Sequence, residues 1–482
     1  MSAVNFLLES PYGPYVALAV LAVAVYTIRR ASQDSLDHIP YLQFSDGNNS
    51  TQRYVQETSK LLHEGYQKYT KQGLPFKLRN PADPEFPKLF FHGNISANNA
   101  PQQSDIAAHI VRTDLNKHLT VLVDGIQEEI DLALATQLPK CPDWTPFPPY
   151  MALAYTISRA TTRVLAGTEL ARNDEWVQIG VHTTIMAHQA AQQIRKEYPR
   201  YIRWLAKYRH AGSKAVLANR LRAAQLMAPI LEKRLAGEHT ESGEPDAVQW
   251  SIAATEGGNR KKVQELVDEQ LFLGIASVHS SSATGLSVLY DLLDRPDILK
   301  EIVEEIQKVH ATCKDGRWNK QALTQLEKLD SFMSESQRMN SIGLVTVQRS
   351  AVRPYDFQDG LHLPKNTQFA FPNFELNHDP DVYPNPYDFD PWRFLKMRKA
   401  GDENRHHFAY ASESAINFGA GTHACPGRYY AGYEIKLILI HILTRYDVMW
   451  PKGSSRPPNM VHDFQNSPSP MVPVLFREKS IQ

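Results

Sequence analysis

Apolar residues recur every three or four positions along most of the chain, and this spacing predicts amphipathic helices. The predicted helical stretches cover residues 54–71, 105–134, 151–235, 263–293, 297–312, 320–341 and 429–445. Residues 343–372 instead alternate, with β-branched side chains between Gly and Pro turns, which is typical of strands. We therefore expect one large, mainly α body with a small β portion and no internal domain boundary.

An uninterrupted uncharged stretch, SPYGPYVALAVLAVAVYTI, occupies residues 10–28. Its 19 residues are enough for a helix that crosses a bilayer. Tyr12, Tyr15 and Tyr26 stand near its ends, where amphipathic rings favour the membrane interface. Two arginines follow at once, and basic flanks stay on the cytoplasmic side. The pattern predicts a single-pass anchor with the rest of the chain in the cytosol.

A cleaved signal peptide is the alternative interpretation of this stretch. No basic residue precedes the apolar run, and the run is long for a signal sequence, so the anchor is favoured. We thus expect a membrane anchor over 1–30, a polar linker over 31–50 and a catalytic domain over 51–482. The expected location is the endoplasmic reticulum membrane.

Composition narrows the function classes. Of the 482 residues, 42% are apolar and 22% charged, which is ordinary for a globular protein. Lys plus Arg and Asp plus Glu both number 52, so no excess of positive charge indicates nucleic-acid binding. The three cysteines, Cys141, Cys313 and Cys425, are far apart, which argues against a disulfide framework and for a reducing compartment. Neither CxxC nor HExxH occurs, so a zinc site has little support.

The most informative cysteine lies in the segment FGAGTHACPGRYYA, residues 418–431. Pro426 suits the first turn of a helix, which would place Cys425 at a helix N-terminus. Free N–H groups and the helix dipole stabilise a thiolate there, and a thiolate is a good axial ligand for haem iron. A small apolar residue at a strand-to-helix corner is the alternative, and this stretch alone leaves both open.

Two upstream segments change that balance. In SFMSESQR, Glu335 and Arg338 share one face of a predicted helix, and FDPWRF supplies Arg393. The order Phe418, Gly421, Cys425, Gly427 resembles the haem-binding signature of the cytochrome P-450 family. The segment NHDPDVYPNPYDFDPWRF, residues 377–394, is similar to a segment of that family as well, and the resemblance covers nearly the whole chain.

The resemblance implies a cytochrome P-450 fold behind the anchor and a haem b cofactor whose iron is bound by Cys425, with Gly427 leaving room for the porphyrin. It also implies that Glu335, Arg338 and Arg393 form a buried ionic lock beneath the haem. A network of this kind is retained for specificity more plausibly than for stability.

The resemblance further suggests partners for the haem carboxylates. Arg349 lies where the family keeps a propionate-binding arginine, although an exposed strand residue is the alternative. His423 replaces the more frequent arginine and would have a pH-dependent charge. His109 and Arg112 share a helix face and take the place of the Trp-x-x-x-Arg contact, of which the tryptophan is missing here.

The central predicted helix departs from the family pattern at LFLGIASVHSSSATG, residues 271–285. Ser280 has the hydroxyl expected to hold a proton during oxygen activation, and His279 replaces a carboxylate as a candidate proton relay. A bond from His279 to a neighbouring helix is the alternative. Consecutive serines compete for backbone hydrogen bonds, so we expect a local bulge at this point.

The expected activity is that of a membrane-bound haem-thiolate monooxygenase. It would take O2 and electrons from a separate NADPH-cytochrome P-450 reductase and oxidise a lipophilic, terpenoid-type intermediate of fungal secondary metabolism. Ile342, Leu344 and Val345 are candidates to line an apolar substrate pocket. A haem-thiolate desaturase, ring-forming oxidase or peroxide rearranger is the first alternative, and a non-enzymatic haem or lipid carrier is the second.

Overall fold

The computed structural model describes residues 13–31, 36–80, 106–237, 243–254 and 263–479. Helices dominate these ranges. In chain order they are α1 Gly13–Ala31, α2 Thr51–Lys68, α3 Ile106–Ile110, α4 Asn116–Gln137, α5 Tyr150–Ala166, α6 Thr168–Ala171, α7 Asp174–Glu197, α8 Ala206–Arg209, α9 Ala211–Leu235, α10 Ala247–Ala253, α11 Val263–Leu293, α12 Pro296–His310, α13 Lys320–Thr324, α14 Glu327–Met339, α15 Asn373–Asn377, α16 Arg393–Lys399 and α17 Arg428–Arg445.

The strands are short and form small antiparallel sheets, apart from one parallel pair. They are β1 Tyr41–Leu42, β2 Lys77–Leu78, β3 Thr145–Phe147, β4 Thr346–Ser350, β5 Tyr355–Asp356, β6 His362–Leu363, β7 Gln368–Phe371, β8 Tyr446–Met449, β9 Met460–His462, β10 Gln465–Ser467 and β11 Val474–Glu478. The parallel pair is β1 with β2, and the only sheet of three strands among the described residues has the order β3-β11-β8.

The mainly α body with a small β portion is confirmed, and the differences from the predicted elements have local causes. The predicted helix 105–134 is interrupted by a π-helical turn, Val111–Leu115. The predicted helix 320–341 is two helices, because Leu326 has non-helical backbone angles between α13 and α14. The bulge expected beside Ser280 is wrong, since α11 is continuous there: the serine hydroxyls bond back to carbonyls of their own helix without breaking it.

Helix α11 is the centre of the fold. It packs against α5, α7, α14 and α17, and both its buried and its exposed faces matter for the site. Among the described residues, the helix that is long and apolar enough to cross a membrane is Gln264–Leu293, and 56% of its apolar 18-residue stretch is buried inside the protein. Burial by neighbouring helices explains its composition as that of a core helix.

Helix α1 coincides with the stretch expected to be an anchor. Several of its apolar side chains are exposed, among them Tyr15, Leu18 and Leu21.

Helix α17 follows Cys425 directly and is almost wholly buried from Tyr430 to Leu443. It carries one carboxyl group into the core: Glu434, 1% exposed, accepts hydrogen bonds from Tyr430 Oη at 2.8 Å and Thr161 Oγ1 at 3.0 Å. Burial raises the pKa of Glu434 from 4.5 to about 8, and these two hydrogen bonds only partly oppose the shift.

We expect Glu434 to make the protein less stable as pH rises. The folded state binds a proton that the unfolded state has released between pH 4.5 and about 8, so the free energy of unfolding falls with pH in that window. Relative to the unsubstituted protein, Glu434→Gln should gain up to about 1.4 kcal/mol per pH unit between pH 5 and 8.

Thermal or denaturant unfolding across that range measures the difference, with Glu64→Gln on the surface of α2 as the control carboxylate. A difference between Glu434→Gln and the unsubstituted protein that stays constant with pH would contradict the assignment.

Candidate active site

The cysteine segment forms a tight loop in front of α17. The Cys425 N–H donates to Phe418 O at 2.7 Å, and the Ala424 N–H donates to Gly421 O at 3.1 Å. Gly421 has a φ of 64°, a left-handed conformation that a side chain would strain. Phe418 stacks edge-on against Phe408 with ring centroids 5.5 Å apart, which fixes the start of the loop on the core.

Cys425 differs from the other two cysteines in its surroundings. Its side chain is exposed, whereas Cys141 is buried and Cys313 is half-buried with Sγ against Val309 O. Neighbouring protein atoms nevertheless desolvate the Cys425 thiol and raise its pKa, while the N–H groups of Gly427 and Arg428 and the Arg428 charge oppose that rise. The thiol is therefore neutral by itself, and a bound cation is what would convert it to the thiolate.

The π-helical turn holds the cysteine loop in place. Arg112 Nη2 donates to Thr422 O at 3.0 Å, and Asn116 Nδ2 lies 3.5 Å from Pro426 O. A Cβ added to Gly427 would come within 3.6 Å of Val111 Cγ1, so loop and turn are in near contact. Arg112 is expected to bind a haem carboxylate. In this structure its side chain holds the cysteine loop by binding a backbone carbonyl of that loop.

Arg349 and His423, the two other predicted partners of the haem carboxylates, lie on separate elements and do not contact each other. Arg349 Nη1 bonds to Gln348 O in its own strand at 2.9 Å, and His423 is exposed in the 3-10 turn Gly421–His423. The register of β4 against β7 shifts between Thr346 and Arg349, where Val347 has a φ of 51°. This conformation is unusual for a β-branched residue, and the alternating sequence gave no sign of it.

Glu335 and its two arginines form the most enclosed charge cluster near the site. The Arg338 guanidinium binds both Glu335 oxygens at 2.8 and 2.9 Å, and Arg393 Nε lies 3.1 and 3.2 Å from the same pair. Glu335 and Arg338 are fully buried, and Arg393 is 8% exposed. The predicted lock residues are thus in mutual contact.

The arginines also bind backbone. Arg338 Nη1 donates to Asn377 O and Pro386 O, both at 2.7 Å, and Arg393 Nη1 donates to Pro384 O at 2.6 Å. The Glu335 carboxylate, through its two arginines, therefore orders the irregular stretch 377–388, which has few backbone hydrogen bonds of its own.

Asn377 carries this order to the cysteine loop. Its amide Nδ2 donates to Asn417 Oδ1 at 2.9 Å, and Asn373 Nδ2 donates to the same oxygen at 3.0 Å. Asn417 directly precedes Phe418, the residue whose carbonyl accepts from Cys425 N–H. A continuous series of bonds thus joins Glu335 to the cysteine loop, a connection that the sequence motifs did not reveal.

A second buried ion cluster lies one turn earlier on α14. Asp330 binds Lys436 Nζ at 2.8 Å and Arg398 Nη1 at 3.1 Å. Although burial acts to raise it, the pKa of Asp330 is well below its ordinary value because these cations and His407 stabilise the carboxylate. Since Lys436 lies on α17, this cluster ties the helix after Cys425 to α14. No sequence motif predicts this cluster, because its members are widely spaced along the chain.

His279 joins α11 to two neighbouring helices through its ring nitrogens. Its Nε2 lies 3.0 Å from Val181 O on α7, and its Nδ1 lies 3.0 Å from Tyr150 Oη on α5. A carbonyl can only accept, so Nε2 carries the proton and Nδ1 accepts from the tyrosine. Burial lowers the pKa of His279, which keeps this neutral form. The structure thus gives His279 the helix-to-helix bond, and both nitrogens are used.

Ser280 lies on an exposed stripe of α11, in a part of the helix that is partly buried. Ser280 and Ala276, one turn apart, are exposed, whereas Val278, Ser281 and Ser282 are buried. The Ser280 hydroxyl donates to Ala276 O at 2.9 Å. The stripe provides a small-residue surface with one hydroxyl, as the serine prediction requires.

The residues present fit a haem with a cysteine ligand. An exposed thiol lies beside two N–H groups, glycines at 421 and 427 leave its surroundings uncrowded, and an arginine lies next to the loop. The pocket residues expected from SIGLVTVQ fit less well: Leu344 and Val345 are buried against Leu62, and only Ile342 remains half-exposed.

Comparison with known proteins identifies the family. The cytochrome P-450 family model matches residues 70–473, so the chain belongs to that family. Cytochrome P-450 monooxygenase cheE of Chaetomium globosum is 55% identical, with 100% of both chains covered. Cytochrome P-450 monooxygenase ccsG of Aspergillus clavatus is 39% identical over 96% of this chain and 98% of its own. Membership implies a cysteine-ligated haem iron and monooxygenase chemistry similar to that of fungal secondary-metabolism enzymes.

The solved structures support the fold independently of sequence. Retinoic acid-bound cyanobacterial CYP120A1 superimposes with a TM-score of 0.62 at 18% identity, covering 83% of this chain and 84% of that chain. At this identity the likeness concerns the fold alone, and it agrees with the mainly helical architecture described above.

We expect Glu335→Gln to be strongly destabilising. The amide keeps the shape of the side chain but leaves two buried guanidinium groups without a counter-charge, which costs about 3–5 kcal/mol. Denaturant unfolding of the haem-loaded protein measures the loss.

Glu301→Gln removes the exposed ion pair with Lys328 Nζ, 2.6 Å long, and serves as the matched control, with an expected cost below about 1 kcal/mol. Equal losses in the two variants would contradict the lock.

Cys425→Ser is expected to abolish the thiolate-type band of the reduced carbon monoxide complex. A serine hydroxyl does not ionise under these conditions and is a harder ligand than sulfur. The measurement is the difference spectrum of purified protein, the reduced carbon monoxide complex minus the reduced protein. Cys313→Ser, on a half-buried loop cysteine, should keep the band, and its retention in Cys425→Ser would reject the assignment.

Proposed function

We propose that Cys425 is the haem ligand of a membrane-bound monooxygenase that oxidises a lipophilic small molecule in fungal secondary metabolism. The observation that carries the proposal is the exposed Cys425 thiol at the start of α17, with the N–H groups of Gly427 and Arg428 beside the sulfur. A bound haem supplies the activation of O2 and the insertion of one oxygen atom into the substrate.

The chain's own residues perform the supporting tasks. The series from Glu335 through Asn377 to Asn417 holds the cysteine loop, and the Gly427 and Arg428 N–H groups stabilise negative charge on sulfur. The Ser280 hydroxyl lies on the exposed stripe of α11. It can release its hydrogen bond to Ala276 O and hold a proton for the reaction instead. His279 fixes that part of α11 against α5 and α7.

Exposed aromatic residues support the membrane location. In the segment between α7 and α9, Tyr201 is 79%, Trp204 61% and Tyr208 61% exposed. Amphipathic rings of this kind favour a membrane interface over water. Together with the exposed apolar side chains of α1, they support an endoplasmic reticulum anchor and a body that touches the bilayer.

The electron donor in this proposal is NADPH-cytochrome P-450 reductase. The support is the resemblance together with the membership of the family, which requires a redox partner. The domain proposal, an anchor over 1–30, a linker over 31–50 and a catalytic domain over 51–482, agrees with a family match that begins at residue 70.

The proposed substrate is a terpenoid-type lipophilic scaffold. A second candidate comes from a relative, pyrichalasin C-7 hydroxylase of Pyricularia grisea, which is 34% identical over 91% of this chain and 93% of its own. A pyrichalasin-like compound that lacks the C-7 oxygen therefore belongs in any substrate test.

Microsomes that contain the full chain and a reductase should convert a member of such a panel with NADPH and ¹⁸O2, and the product should gain one labelled oxygen. Omission of the reductase should stop turnover. Haem-loaded protein that binds panel members but forms no product with reductase present would overturn the proposal in favour of a carrier, and an unlabelled product would favour a non-hydroxylating oxidase.

Ser280→Ala should keep the carbon monoxide spectrum but increase the NADPH consumed per product, because the step that needs the proton loses a group that handles it. Ser282→Ala is the control, since Ser282 is buried and its hydroxyl bonds to Val278 O at 2.6 Å on the opposite side of α11. Unchanged coupling in Ser280→Ala would exclude the role.

A further inference from the structure

A small cavity lies within the core on the side of α11 away from Ser280. Helices α5, α7 and α11 enclose it, and it has about 20 Å³ of space for the centre of a water molecule. That volume is enough for one water. The lining includes the hydroxyl residues Ser158, Thr161 and Thr162, and two glycines, Gly180 and Gly274.

One lining side chain is buried without partners. Gln270 is 3% exposed, and among the residues that the structure describes neither its amide oxygen nor its amide nitrogen has a hydrogen-bond partner. A buried amide with both groups unpaired is costly, and native proteins usually satisfy such groups with protein or ordered water. Gln270 lies one turn before Gly274 and two turns before Val278, and all three border the cavity.

The cavity also borders a polar series that leads to the helix after Cys425. Thr161 Oγ1 donates to Glu434 Oε1 at 3.0 Å, and Tyr430 Oη donates to the same oxygen at 2.8 Å. The second oxygen of Glu434 has no hydrogen-bond partner among the described residues. Polar groups of α11 and α5 therefore border the same cavity, and Thr161 connects them to Glu434 on α17.

We propose that this cavity is a binding site for a buried water molecule held by the Gln270 amide and the hydroxyl groups of α5. The water completes a polar connection from Gln270 on α11, through Thr161 on α5, to Glu434 and Tyr430 on α17. It joins the helix that carries Ser280 to the helix that follows Cys425.

Two glycines of α11 allow a matched test. Gly274 lines the cavity, and a Cβ added there would meet no heavy atom within 4 Å, so the position has room for a methyl group. A Cβ at Gly285 would meet only Ile435 Cγ2 at 3.9 Å, an ordinary contact. Alanine favours a helix interior over glycine, and without other effects both substitutions raise the melting temperature of the haem-loaded protein.

Gly285→Ala is expected to raise the melting temperature by about 1–2 °C for a chain of this length. Gly274→Ala is expected to show no gain or a fall, because its methyl group displaces the water from Gln270. An equal gain in both variants would overturn the proposal, since it would show that the methyl group fills empty space.

Gln270→Met supplies the opposite test, because it keeps the length of the side chain and removes the amide. The melting temperature should fall when the water loses its main partner, and an unchanged or higher value would show that the amide was unsatisfied. A crystal structure of the holoenzyme should show a density peak within hydrogen-bond distance of the Gln270 amide and a hydroxyl of α5. A cavity without such a peak would reject the site.

Discussion

A single buried carboxylate orders the region on which the active site rests. Glu335 is fully buried between Arg338 and Arg393, and each arginine uses its remaining N–H groups on backbone carbonyls of residues 377–388. Three charges removed from water are tolerated only because each is paired and hydrogen-bonded. The irregular stretch gains fixed geometry from this cluster, and Asn377 passes that geometry to Asn417 and the cysteine loop.

Helix α11 presents two chemically different faces to its surroundings. Ala276 and Ser280 form the exposed stripe on one side, whereas Gln270, Gly274 and Val278 border the small cavity on the other. His279 stands between these faces and binds α5 and α7 through Tyr150 and Val181. The small residues and serines of this helix are therefore explained by the surfaces that they form, although α11 itself is a regular helix.

The sequence predicted most of the helices, because their apolar residues recur with clear helical spacing. It also predicted the contact between Glu335 and Arg338, because residues three positions apart on a helix share a face. The π-helical turn at Val111–Leu115 and the left-handed Val347 could not be predicted, since no local pattern specifies them and tertiary packing sets both. The Asp330 cluster and the Asn377–Asn417 bond were missed because they join residues that are distant in sequence. The hydrogen-bond partners of His279 on α5 and α7 could not be predicted either, because only the fold brings them together.

The central claim is that the Cys425 sulfur is the iron ligand, and vibrational spectroscopy tests it most directly. A Cys141→Ala, Cys313→Ala double variant leaves Cys425 as the only cysteine in the chain. When this variant is labelled with ³⁴S-cysteine and loaded with haem, its iron–sulfur stretching band in the resonance Raman spectrum should shift to lower frequency. A haem-loaded variant whose spectrum does not change on labelling would contradict the account.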